Sequence, residues 1–200
     1  MAQLFNRTIL VKGGIGRISG LGDAKGRVAF TEYIQVWHAP VLGTATAVLG
    51  TTALPSGSSG SDVTTGLTSP AHPRNVTVIA DAAATSVVTV YGTNQFGTAI
   101  SEDLTLNGTT SVVGSKIFAT ITKVHMAQRS GPGNITIGLG SKLGLLRVLV
   151  SGFAAPTGNV GGTLEGTPPT PDYTNSSVAF NTTLDGSSDF KCKFTSSDLK

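Results

Sequence analysis

The chain has 200 residues, of which 39% are apolar and 12% charged, enough for one ordinary domain whose core buries about 70% of its unfolded surface. Soluble domains are typically about 25% charged; here Gly, Ser and Thr fill the shortfall, so hydroxyls and backbone rather than ions solvate the surface, as in proteins packed against neighbours or equally in an ordinary Ser/Thr-rich β-domain. The formal net charge of +3 is too small to argue for nucleic-acid binding, the single Cys192 rules out an intrachain disulfide, and no run approaches the roughly 18 apolar residues of a membrane span.

The charge is uneven. Residues 1–27 hold Arg7, Lys12, Arg17, Lys25 and Arg27 against Asp23 alone, a balance of +4, and the remainder balances at −1. Within the same stretch Gly13, Gly14, Gly16, Gly20, Gly22 and Gly26 alternate with Ile, Leu and basic residues. So many glycines predict a pliable arm that gains order only against another surface. Its five bases are the candidate contacts to a partner chain. The opening MAQLFNRTILVKGG lacks the apolar core of a signal peptide, so synthesis in a cytosol is expected.

Arg27 to Trp37 reads as a strand, with Val28, Phe30, Ile34 and Val36 on one face and Tyr33 and Trp37 on the other. Thr44 to Thr52 is a weaker strand. Leu54 to Arg74 concentrates Ser, Gly and Pro and reads as a long surface excursion, one that could drape over a neighbouring subunit.

From Asn75 onward, short runs of β-branched and apolar residues are each bounded by Gly, Asn, Asp or Ser. The runs are Val76 to Ala80, Ser86 to Tyr91, Ala99 to Leu106, Lys116 to Met126 and Ile135 to Leu139. They predict an antiparallel meander. Ile100, Leu104 and Leu106 share a face that Glu102 interrupts, and the alternation of Ile117, Ala119 and Ile121 slips near Lys123, where a β-bulge would restore it. Asn107-Gly108, between two apolar runs, is the strongest local hairpin signal. Leu143 to Gly152 predicts one more strand, and Ala154 to Tyr173, with four prolines, a stiff extended linker. Val178 to Phe180 and Phe190 to Phe194 form a terminal hairpin across Asp185-Gly186 in this reading.

The stretch VVTVYGTNQFGTAISEDLTLNGTTSVVGSKIFATITKV, followed by GNITIGLGSKLGLLRVL, resembles a recurring block in virion structural proteins of tailed bacteriophages. In those proteins a V-T-V-x-G-T-x-x-x-G-x-x-x-x-E-x-L-x-L-N-G-T hairpin opens the block. The C-terminal SSVAFNTTLDGSSDFKCKF is similar to their closing strands. The resemblance covers about half of the chain. It implies a particle component, often one that decorates or cements the head, and it implies no catalytic residue.

Other motifs lead away from chemistry. Gly14, Gly16 and Gly20 miss the G-x-G-x-x-G spacing by one residue and precede β-rich sequence rather than a helix. His38, His72, His125 and Cys192 show no metal-ligand spacing. Glu102 and Asp103 are adjacent on a strand and so point to opposite faces, where they cannot act on one substrate atom. Six N-x-[ST] triplets follow from a composition rich in Asn, Ser and Thr.

The expectation is therefore an all-β protein, an antiparallel β-sandwich or jelly-roll-like domain over residues 27–151. A glycine-rich basic arm over 1–26 precedes it, and a C-terminal extension of Pro-rich linker and β-hairpin over 152–200 follows. The expected role is structural: a capsid decoration or cement protein, without enzymatic activity, cofactor or metal, with a tail, neck or fibre component and a carbohydrate-binding sandwich as alternatives. Expected partners are the major capsid protein and further copies of the chain, a homotrimer before a dimer, with no direct nucleic acid and no membrane. The expected location is the capsid surface, after synthesis in the host bacterial cytoplasm.

Overall fold

The computed structural model describes residues 32–41, 43–130, 133–146, 157–160, 170–179 and 189–195. Among them the regular structure is all β, in chain order β1 (Glu32–Trp37), β2 (Leu49–Ala53), β3 (Ser61–Val63), β4 (Arg74–Ala80), β5 (Val87–Thr93), β6 (Ala99–Thr105), β7 (Val112–Val113), β8 (Thr120–Met126), β9 (Asn134–Gly144), β10 (Thr157–Val160), β11 (Thr170–Asp172), β12 (Ser177–Ala179) and β13 (Phe190–Thr195). These pair antiparallel into three sheets: β11-β12-β9-β4-β7, in which β2 also pairs with β9; β3-β8-β5-β6; and β1-β13-β10. The fold is sandwich-like, as the alternating runs predict.

Period-two alternation builds the core. In β5 burial alternates strictly along VVTVYGT, sending Val88 and Val90 inward, and β4 contributes Val76, Val78 and Ala80 from the facing sheet. Ile135 and Ile137 of β9, Val124 and Met126 of β8, and Phe118 complete one apolar cluster. Each such side chain contributes about 1.5–3 kcal/mol by leaving water. The phase slip near Lys123 is a bulge: β5 and β8 pair Tyr91 with Lys123 and then Gly92 with Ile121, leaving Thr122 unopposed. The kink brings backbone so close that a Cβ on Gly92 would lie 1.9 Å from the Thr120 carbonyl oxygen.

Several expectations are corrected. The run Ile135 to Leu139 does not end where its alternation does: β9 continues unbroken to Gly144, into the start of the expected strand Leu143 to Gly152, of which residues 147–152 lie outside the described residues. β4 pairs along it with an irregularity between Arg74 and Val76, where side chains replace the ladder. Asn75 Oδ1 accepts from Lys142 N at 2.9 Å and its Nδ2 donates to Gly114 O at 2.8 Å. The excursion from Leu54 to Arg74 lies on its own sandwich: β3 pairs with β8, Thr68 N donates to Val48 O, and Leu67 packs on the core. Asn107-Gly108 makes a tight turn in which Thr110 N bonds Asn107 O. The strands on either side of it belong to different sheets, so it turns a corner of the sandwich instead of closing a hairpin.

β10 and β11 fall inside the expected Pro-rich linker, and Pro171 sits in edge strand β11, where a missing N–H is tolerated. The expected terminal hairpin is replaced by two separate pairings. β12 occupies the length of the β9 edge that β2 leaves open, and β13 joins β1 and β10.

Candidate functional site: the outer face of the four-stranded sheet

With Val88, Val90, Val124 and Met126 turned inward, the same alternation turns Thr89, Tyr91, Lys123 and His125 outward on the sheet β3-β8-β5-β6. Cross-strand register then lines these residues into rows. One row runs Asp62, His125, Thr89, Asp103; its side chains pair as His125 Nδ1 with Asp62 Oδ1 at 2.6 Å and Thr89 Oγ1 donating to Asp103 Oδ1 at 2.7 Å. The next runs Lys123, Tyr91, Ser101, with the Lys123 ammonium 4.3 Å from the centre of the Tyr91 ring. In a third, the Thr93 and Thr120 hydroxyls are 2.7 Å apart.

At the β3 end of this face, the turn before β3 rises over the sheet and leaves an open depression of about 560 Å³, floored by Tyr91, Lys123 and His125 and walled by Asp62 and residues 59–61. Gly60 shapes the wall: its φ is +70°, and a Cβ there would meet Met126 O at 2.5 Å. Asp62 is the pivot, its second oxygen lying 3.4 Å from Lys123 Nζ. The His125 hydrogen bond, with Lys123 behind it, holds the Asp62 carboxyl below the usual carboxylate range. Carboxylate, imidazole and ammonium are thus committed to one another. The depression offers a polar contact surface of hydroxyls and mutually paired charged groups.

The polar groups of the interior serve the fold. Glu102, which interrupts an apolar face, is buried, and its carboxylate accepts from Ser115 N at 2.6 Å, Ser115 Oγ at 2.9 Å and Lys116 N at 3.2 Å. Asp103 is exposed, on the opposite face as its adjacency requires. Arg74 is buried, and its guanidinium bonds backbone carbonyls among the described residues. It donates to Val41 O at 2.6 Å and, from Nε and Nη2, to Gly140 O. Desolvation lowers its pKa to about 10.

The histidines are less scattered than their spacing implies. His72 Nε2 donates to His38 O at 3.1 Å, and His38 Nδ1 lies 3.2 Å from Asp189 Oδ2; burial pushes the His72 pKa down. Among the described residues no three His, Cys, Asp or Glu side chains cluster to hold a metal, and burial pushes the Cys192 thiol up, away from reactive thiolate. No described helix is long and apolar enough to cross a membrane.

The candidate contacts Arg7, Lys12, Arg17, Lys25 and Arg27 lie outside the described residues. Trp37, half of the aromatic pair that a carbohydrate platform would need, is 3% exposed, and its Nε1 donates to Gly144 O at 3.3 Å; it is core. Asp62 was hidden from sequence reasoning inside an apparent loop. One signal was there: it is the sole charge between Leu54 and Pro73. Comparison with protein-family models, curated proteins and solved structures finds no match to this chain.

Proposed function

We propose that this chain is a structural virion protein of a tailed bacteriophage, a decoration or cement protein on the outer head surface that bridges subunits of the major capsid protein. The reading is supported chiefly by what the resembling block spends its residues on. Gly92 admits the bulge, Glu102 caps the segment at 115–116, Phe118 fills the core, and Gly144 carries the carbonyl that Gln35 and Trp37 bond at 3.0 and 3.3 Å. A recurring block that is spent on architecture leaves faces, rather than a catalytic centre, to carry the role. The outer face of the four-stranded sheet is rich in hydroxyls, its Asp62, Lys123 and His125 are paired with one another, and Asp103 is bonded by the Thr89 hydroxyl. Such a face can pack against protein that offers a donor to Asp103. Many copies on a fixed lattice then turn modest contacts into avidity.

The test is particle robustness. Heads lacking the protein should assemble yet release genome at a lower temperature than complete heads, and adding purified protein to expanded heads should restore the difference. Depleted heads that are equally robust but fail to attach tails or adsorb to cells would transfer the protein to the neck, tail or a fibre. Copy number per particle, from densitometry against the major capsid protein, separates these positions independently.

A further inference from the structure

The segment from Gly57 to Ser69 covers the edge of β8. Its Gly57–Gly60 turn closes with Gly60 N on Gly57 O at 3.3 Å. β3 then pairs Ser61, Asp62 and Val63 with Met126, His125 and Val124, and Ser69 Oγ accepts from Ile121 N at 2.9 Å. Besides the Thr68 N to Val48 O bond at its far end, three residues of ladder and the partly buried Val63 and Leu67 are a slight hold for a cover of this length. Across the outer face the tie is Asp62, forked to His125 and Lys123.

We propose that residues 57–69 form a strap latched onto β8 through Asp62, and that acid releases it. The groups facing the latch are His125 and Lys123 from β8 and Tyr91 from β5, while Asp103 on β6, one strand further along the same row, is held by Thr89. The turn before β3 adds no charge. With the Asp62 carboxylate ionised, it pairs with the Lys123 ammonium and hydrogen-bonds His125 Nδ1. Once it is protonated, the Lys123 ammonium loses that counter-charge and the His125 bond loses its anionic partner. Because the carboxyl is held below its ordinary value, the latch is closed above the ordinary carboxylate range and opens as pH falls through the lowered one. Opening bares the outer edge of β8 from Ile121 to Met126, its other side still paired with β5, and such an edge recruits another strand.

Hydrogen exchange on the full chain tests this, with rates corrected for the intrinsic pH dependence. Between about pH 7 and about pH 2, protection at 61, 63, 124 and 126 should fall about tenfold or more while that of Val88 and Val90 is kept. At neutral pH Asp62→Asn should show the same local loss. In the double variant Lys123→Gln, His125→Gln, protonation of Asp62 has no pair left to break, so the acid step should shrink. The strap would not be acid-latched if protection at 61 and 63 stayed flat down to about pH 2, if Asp62→Asn kept wild-type protection at neutral pH, or if Val88 and Val90 lost protection in the same step.

Discussion

At the scale of single residues, the strongest constraints are positions where backbone meets backbone or a buried group has fixed partners. Gly92 is the first kind. Its neighbour is the Thr120 carbonyl rather than a movable side chain, so Gly92→Ala must shift the bulge and should cost about 3 kcal/mol in urea denaturation. Glu102 is the second kind. Glu102→Ala strands the Ser115 and Lys116 amides and should cost about 2–4 kcal/mol; a loss below about 0.5 kcal/mol would mean that water replaces the carboxylate freely. The aspartates act together on pH dependence. Asp62 is lowered chiefly by His125 and Asp81 by bonds from Asn134, while Asp172, which burial alone would raise, is lowered by Asn175 and Lys142. A depressed carboxyl stabilises the fold above its unfolded pKa and ceases to as pH falls through the folded one. The melting temperature should therefore hold from neutral to about pH 5 and drop below about pH 4.

At the scale of elements, what could be read from sequence followed from local periodicity. β4, β5, β6 and β8 were legible because apolar residues alternate along them, and the bulge was legible because that alternation breaks near Lys123. Asp103 turning away from Glu102 was equally plain. Pairing was not legible where it depends on residues far apart. Nothing near Asn75 announces that its amide serves Gly114 and Lys142, yet that service keeps β9 a single strand where the sequence reads two. Asn75→Ala leaves a buried carbonyl and a partly buried amide without partners and should cost about 2–3 kcal/mol, with amide exchange rising at 140–144 before the rest of β9. β3 escaped notice because three residues carry no period, and with it went Asp62 and the depression. The partner choice of β12 and β13 was hidden for a similar reason: a hairpin is the local guess, while the open length of the β9 edge is a property of the assembled sheet.

At the scale of the whole molecule, the structure changes the reason for expecting self-association. Low-charge β-proteins must manage their sheet edges, and most edges of the two large sheets are already blunted. β3 has three residues with Asp62 outward, β7 has two, and β11 has three with Pro171 at its centre. Among the described strands β2, paired only with β9, leaves an edge of five residues, and β6 is the longest edge, with seven; there the Lys116 ammonium bonds Ser101 O at 2.5 Å while Asp103 stands exposed beside it. Copies that associate should then meet through faces. If the chain has the proposed capsid role, we expect a homotrimer by light scattering, with a dimer as the alternative, since closed cyclic symmetry is the common solution and a capsid would offer local three-fold positions. Ser101→Pro separates face from edge: the Ser101 carbonyl points away from β5, so its N–H does too, and proline there removes an outward donor without touching the β5 ladder. A face-built trimer should survive Ser101→Pro unchanged. If the variant becomes monomeric while still melting like the wild type, β6 is the interface, and a monomeric wild type with single copies on the particle would remove the oligomer from the account altogether.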